Sequence, residues 1–515
     1  MSLQELVGAS CRRGRPSRGE QRRQSRMHNP SPQDGASAPR PEPRTVSIAL
    51  RPGRESRAGN VSIRDFAPAA GSAAPERHRI ERPRRWLILP RMNIAVIGGG
   101  IAGLAASWWL SFRHRVTLFE RQSQPGLVAS SVSVAVDGQD LRIDVPLRVF
   151  YPGYYPTLTR LYAELGVVTE PVSYATTFTG DDGQAYFRWR NLRLGNCSLP
   201  YLLPHDLLGK RARRIACGAL ALGRELRGAT ARGELVGQTI GQFVQSRGCA
   251  AEFVDGLLLP TLATIATCTL DDARAYPADV VAGYLGAGVS RQSVRRARHG
   301  ADDVVARLLA GVGRVQCQAG VTGLRREGDA VCVERQGGVV ERFDHVVLAT
   351  QANQALALWH DATAAERTVL QGFSYRALEV VMHRDQSLMP AHRRDWSAVN
   401  ARVSGTHERP QSTIWINAVQ PALRRAAPLF QTVQPHRTPR EEDLISSARF
   451  ERPLVNSTSQ QALLALQALN AQPGRRVWLC GSYAQAGVPL LESAVQSALD
   501  VATAIDNSPL AARTP

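Results

Sequence analysis

Ile94-Ala-Val-Ile-Gly-Gly-Gly-Ile-Ala-Gly103 is the stretch whose reading decides the fold. An apolar run breaks into Gly98-x-Gly100-x-x-Gly103, and an Ala/Leu/Trp-rich segment, Leu104–Phe112, follows at once. A second apolar run, Val116–Phe119, is closed by Glu120. This order of strand, glycine turn, helix, strand and acid predicts a dinucleotide-binding unit. Gly98 permits the tight turn, Gly100 lets a pyrophosphate approach the backbone, and Gly103 lets the helix pack on the strand. The positive helix end and its unbonded N–H groups then face the phosphates. Glu120 stands 22 positions after Gly98, close to the ~20 expected of a carboxylate that binds a ribose hydroxyl.

Composition narrows the function class. A chain of 515 residues, 43% hydrophobic and 21% charged, is long enough for two domains and a full apolar core. The formal charge of +19 suggests a nucleic-acid partner until its distribution is considered. Residues 1–91 hold 19 arginines and 8 acidic residues, leaving only +8 for the remainder, and Lys210 is the one lysine. With no basic helix interleaved with aromatics, nucleic acid is not an expected partner.

The eight cysteines show neither CxxC spacing nor a Cys/His cluster, so no metal site is expected, and they read as small core residues in a reducing compartment. No apolar run is long enough to span a membrane and no signal peptide is recognisable, so a cytoplasmic protein is expected.

Along the chain, residues 1–91 are rich in Arg, Pro, Ser, Gly and Ala without helical or strand period. They are expected to be disordered, an extension upstream of a natural start at Met92. A helix is predicted at Leu158–Leu165, and mainly helical structure over 200–310. The latter includes Leu207–Leu226, where leucines and alanines alternate with Arg211, Arg213, Arg214 and Arg224. This segment reads first as a surface helix with arginine stems over apolar neighbours, and second as a peripheral membrane contact. Strands are predicted at Val315–Val321, Val331–Arg335 and His345–Thr350, then at Leu378–His383, Thr413–Ile416 and Val477–Gly481. A closing helix is predicted at Leu491–Ile505.

The pieces of the nucleotide domain are thus separated. The expected division is 92–145, 296–352 and 452–508 for nucleotide binding, with 146–295 (mainly helical) and 353–451 as an inserted substrate domain. The fold class is α/β, a discontinuous Rossmann-like domain of the glutathione-reductase type carrying an α+β insertion.

Further motifs follow in order: Asp144-x-x-x-Arg148-Val-Phe150, Tyr155-Pro-x-Leu158, Glu164-Leu-Gly166, Leu258-Leu-Pro260 and His299-Gly300…Leu308. After them come Val347-Leu-Ala-Thr350, His383-x-Asp385-x-x-Leu388-Met-Pro390, Trp396-Ser-Ala-x-Asn400, Trp415-x-Asn417 with Gln420, and Cys480-Gly481. From Met92 to about Thr503 the chain resembles the flavin-dependent amine oxidase and phytoene desaturase superfamily. Within it, the chain is similar to a bacterial group of predicted NAD/FAD-binding proteins.

The resemblance implies FAD as cofactor. Gly98, Gly99, Gly100 and Gly103 would line its pyrophosphate and Glu120 would hold the adenosine ribose. The backbone of Val321 would meet the adenine, and Ala349 and Thr350 would close over the cofactor. Gly481 and Ser482 would lie near the ribityl chain and phosphates, and Glu492, Ser493 and Ala494 would form the helix start whose N–H groups face the isoalloxazine O2 side. Three positions depart from the family's pattern: Leu127 where it has a second glycine, Ser482 where it has an acid, and Pro146 where it favours glycine.

The implied activity is an FAD-dependent oxidoreductase moving a hydride between substrate and flavin N5, on an apolar lipid, polyene or isoprenoid. An amine oxidase using oxygen is the alternative, made harder by an aromatic content of only 6%. A non-catalytic nucleotide-binding protein is a third reading, favoured by Leu127 and Ser482. Arg148, Tyr155, His383, Trp396 and Asn417 are polar or aromatic candidates on the substrate side, each read first as structural, and no catalytic residue is assigned.

Overall fold

The computed structural model describes residues 92–136, 138–194, 197–287 and 293–508, so the expectations for 1–91 lie outside the described residues. Its central sheet has five parallel strands in the order Arg314–Gln316, Arg115–Phe119, Asn93–Ile97, His345–Leu348 and Val477–Leu479. Alternate side chains of this sheet enter two different cores. Ile94, Val96, Val116, Leu118, Val347 and Trp478 pack on one face, and Ala95, Ile97, Val346, Leu348 and Leu479 on the other. Burial on both faces explains why the first strand is a continuous apolar run with no polar alternation.

The first face is covered by the glycine-turn helix Ile101–Leu110, the helix Gly300–Leu309 and the closing helix Leu491–Asp506. The second is covered by an antiparallel meander, Val321–Glu327, Ala330–Arg335 and Val339–Phe343, with the helix Ser457–Asn470. The predicted strand Val315–Val321 is in fact two pieces, Arg314–Gln316 and the start of Val321–Glu327. The chain breaks between them, with Gln318 at φ 53°.

The inserted region is built on an eight-stranded mixed sheet. Its order is Leu444–Pro453, Tyr375–His383, Phe430–Val433, Gln411–Trp415, Val399–Arg402, Thr176–Thr179, Ala185–Leu194 and Cys197–Tyr201. Three of these strands come from 146–295, a segment read from its sequence as mainly helical. The expected boundaries at 295/296 and 451/452 also cut strands, Arg295–Ala297 and Leu444–Pro453. Thr176–Thr179 and Cys197–Tyr201 are too short to show a period, whereas Ala185–Leu194 carries the alternation Phe187-Arg-Trp189-Arg that the reading passed over.

The helix Lys210–Ala231 buries Ala212, Ile215, Ala216, Leu222, Leu226 and Ala229, and leaves Arg213, Arg214, Arg224 and Arg227 exposed. Its apolar stripe is therefore committed to the protein's own core. A Cβ on Gly218 would stand 2.4 Å from the Phe253 ring, so that ring packs directly on the helix backbone. Among the described residues no helix is long and apolar enough to cross a membrane.

Candidate functional site

The carboxyl ends of the parallel strands converge on the glycine turn. Gly98 has φ 108°, donates its N–H to Phe119 O at 2.9 Å, and lies so close to Ala349 that a Cβ would meet its carbonyl oxygen at 2.9 Å. Ala349 in turn donates to Ile97 O at 2.9 Å, locking the two strand ends together. A Cβ on Gly103 would stand 1.9 Å from Gly98 O, so helix and turn touch backbone to backbone. Gly100 differs from both: nothing lies within 4 Å of where its Cβ would be. It is the N-cap of the helix Ile101–Leu110, with no side chain capping the first turn. Open space in front of uncapped N–H groups is what an anionic group requires.

Glu120 is buried beside this turn. Its carboxylate accepts from Gly99 N at 2.8 Å and from Gln122 N at 2.9 Å. Ala319 N donates to Glu120 O and Gln318 N to Gln122 O, which brings Val321, the first residue of its strand, to the same end of the cradle.

Cys480 N donates to Leu348 O, placing Gly481 beside Thr350. Ser497 Oγ bridges both the N–H and the carbonyl of Gly481 at 3.0 Å, a role the sequence reading missed. Ser482, next in the chain, is half-buried.

At the start of the closing helix the side chains have partners of their own. The Glu492 carboxylate turns away to accept from Thr157 N and Leu158 N, both at 2.9 Å, capping the helix Pro156–Glu164. Ser493 Oγ donates to Val488 O. The N–H of Ala494 already donates to Leu490 O at 3.2 Å, so Ala494 offers no N–H to a ligand. The positive end of this helix is carried by the first-turn N–H groups of Leu491, Glu492 and Ser493.

Leu127 is 5% exposed and its side chain belongs to the main core, while its N–H donates to Gly99 O and its carbonyl accepts from Arg148 Nη2 at 2.6 Å. Its side chain does not enter the cradle. Asp144 and Gly300, far apart in sequence, meet: Asp144 Oδ1 accepts from Ala301 N at 2.9 Å at the start of the helix Gly300–Leu309.

Beyond the cradle stands a group of tyrosines. Tyr151, Tyr154, Tyr155 and Tyr284 pack with ring centroids 4.7–6.2 Å apart, edge to face in most pairs. Tyr154 Oη accepts from Val488 N at 2.7 Å and sits over Gly487, tying the group to the loop before the closing helix. Burial pushes the Tyr151, Tyr155 and Tyr284 hydroxyls well above the ordinary phenol range, so they stay neutral. A low overall aromatic content did not prevent an aromatic cluster from forming here.

The other substrate-side candidates have structural partners. His383 Nε2 shares a hydrogen bond with Thr432 Oγ1, Trp396 Nε1 donates to Pro390 O, and Asn417 Nδ2 donates to the carbonyls of Leu423, Ala426 and Ala427. Trp396 also borders a surface hollow of about 440 Å³ lined by Asp181, Arg393 and Arg402. None of the cradle residues lines that hollow. Lys210 is exposed at the first position of its helix.

A family profile described as an NAD(P)-binding Rossmann-like domain matches residues 96–165. A search of curated protein sequences finds no match. Among solved structures, a putrescine oxidase is similar at 14% identity and TM-score 0.57, covering 81% of this chain and 100% of its own. A fatty acid isomerase from P. acnes is similar at 16% identity and TM-score 0.54, covering 80% of this chain and 98% of that one. A protein described as a putative protoporphyrinogen oxidase, from Exiguobacterium sp., is similar at 15% identity and TM-score 0.54, with 81% and 99% covered. The fold is the one these solved oxidases and this isomerase share, with a Rossmann-like domain at its N-terminal part.

Proposed function

We propose that the chain is an FAD-dependent oxidoreductase that transfers a hydride between an apolar small molecule and flavin N5. The observation that carries this reading is that Gly98–Gly103, Glu120, Ala349–Thr350 and Gly481 all follow the carboxyl ends of adjacent parallel strands and touch one another there. The residues present fit the cofactor: Gly100 faces open space, the first turn after it is uncapped, and Leu127 is folded away.

When bound, FAD supplies hydride chemistry at N5. The protein's part is positioning and electrostatics. The N-terminus of Ile101–Leu110 would hold phosphate charge, and Glu120, already oriented by two backbone N–H groups, would accept ribose hydroxyls. The first-turn N–H groups of Leu491–Asp506 would supply partial positive charge to a flavin held in the cradle. The tyrosine group walls the neighbouring space from water and contributes apolar ring surface.

The purified protein tests the reading. A yellow preparation whose flavin is released on denaturation, and whose visible band bleaches anaerobically with an apolar substrate, supports it. Bleaching by an amine alone supports the oxidase alternative. A colourless protein that does not take up added FAD overturns both.

A further inference from the structure

The hollow beside Trp396 holds charges of both signs that do not pair with each other. Arg393 and Arg402 line it together with Asp181 and Asp182, around a volume of about 440 Å³. Among the described residues, none of these four side chains belongs to an ion pair.

Backbone geometry keeps them apart. Asp181 and Asp182 stand exposed in the turn between the strands Thr176–Thr179 and Ala185–Leu194. Gly183, at φ 71°, closes that turn by donating to Gly180 O at 3.1 Å, and its carbonyl accepts from Ala391 N at 3.1 Å. The Asp182 carboxylate accepts from Gln184 N at 2.9 Å, within the turn. Arg402 ends the strand Val399–Arg402, where pairing with Thr179 and Gln411 fixes its backbone. Its guanidinium reaches the turn's backbone, since a Cβ on Gly183 would stand 3.7 Å from Nη2. The side chain is half-buried, and its Nε is buried without a hydrogen-bond partner.

Arg393 is held differently. Its guanidinium lies 4.6 Å from the Trp396 ring centroid and 5.9 Å from that of Trp415. Trp396 is itself pinned by Nε1, which donates to Pro390 O at 3.0 Å. Met389 and Pro390, both buried, continue the apolar part of the wall.

A buried N–H donor without an acceptor is costly, and opposite charges that share a hollow ordinarily close on each other. Strand pairing and the turn prevent that closure here. Two cationic and two anionic side chains match a molecule that carries both charges and is neutral overall. The Nε and Nη groups of an arginine are parallel donors suited to a planar carboxylate, and exposed aspartates accept from an ammonium.

We propose that this hollow is a second ligand site, separate from the flavin cradle, and that it takes an apolar α-amino acid. The carboxylate meets Arg402, the ammonium meets Asp181 and Asp182, and the side chain lies on Met389 and Trp396. Nothing in this assignment depends on flavin binding.

Calorimetric titration of the full-length protein with leucine, isocaproate and isoamylamine is the test. The last two keep the branched chain and each lack one of the charges. Leucine is expected to bind about tenfold tighter than either. Arg402→Met should weaken leucine by about tenfold or more, while Arg402→Lys, which keeps the charge but loses the parallel donors, retains part of the affinity. Should Arg402→Met not fold, the double variant Asp181→Asn, Asp182→Asn alters only an exposed turn and keeps an acceptor for Gln184 N. It should remove the advantage of leucine over isocaproate. Equal binding of the three probes, no binding of leucine, or a preference for leucine that these variants leave intact overturns the proposal.

Discussion

The α-carbon of Gly103 faces the carbonyl oxygen of Gly98 so closely that a methyl group there would stand 1.9 Å from it. The obstacle is backbone, so no rotamer change relieves it. Gly103→Ala is expected to destabilise the protein by about 3 kcal/mol or more, beyond ordinary overpacking, and to abolish flavin uptake. Thermal unfolding and the visible spectrum together check this.

Gly100→Ala is the complementary case. Its Cβ would meet nothing within 4 Å and its φ of −71° suits any residue. Stability should change by less than about 1 kcal/mol, while FAD affinity falls roughly tenfold, because the methyl projects where the pyrophosphate must approach. Flavin titration of the two variants separates folding from binding, and an unchanged affinity would remove Gly100 from the site.

Glu120 makes a different contribution. Glu120→Ala strands the N–H of Gly99, which the carboxylate now accepts at 2.8 Å, at a cost of ~1–3 kcal/mol. Glu120→Gln keeps an acceptor oxygen but loses the charge, so the fold should survive while FAD binding weakens by about tenfold or more. An adenosine-lacking flavin such as FMN should bind the two proteins equally, and competition binding reads out that difference.

The glycine turn, Glu120 and the late turn at Gly481 were legible because each rests on a local requirement: a positive φ, a close backbone approach, or a strand end followed by an acid. The strand ending at Ala349 and Thr350 was legible as an apolar run, but their place at the site came only from the resemblance. The use of Glu492 was not, because its carboxylate serves Thr157 and Leu158 on another helix, and no spacing rule links positions so far apart. Nor was Ser497, whose hydroxyl reaches back to Gly481. The eight-stranded sheet joins segments on either side of the nucleotide-binding strands, and its pairing is fixed by long-range packing that periodicity does not report.

Asn417 shows how a candidate site residue becomes a structural one. Its amide donates to three carbonyls, of Leu423, Ala426 and Ala427, and its oxygen accepts from Leu429 N at 2.8 Å. Asn417→Ala should cost ~2–3 kcal/mol in unfolding free energy, since a buried turn loses the side-chain amide that staples it. Flavin content and spectrum of the folded fraction should match those of the parent, whereas a shifted flavin band would return Asn417 to the site.

Two buried histidines set the acid side of the stability profile. His345 accepts from Trp478 Nε1 at 3.1 Å and His383 is bonded to Thr432, and burial pushes each imidazole down to about 4 from the ordinary 6.5. Between these values the unfolded chain binds protons that the folded chain refuses, so the unfolded state gains as pH falls. Stability should therefore be fully present above pH ~6.5 and decline progressively toward pH ~4, by up to about 3 kcal/mol for each histidine. This window lies above that of the depressed carboxylates, such as Asp385, whose contribution is lost only at lower pH. Denaturant unfolding at pH 7.5, 6 and 5 in the parent and in His383→Gln measures it, with a shallower decline expected in the variant. A flat parent profile across that range would mean that both rings protonate in the folded state.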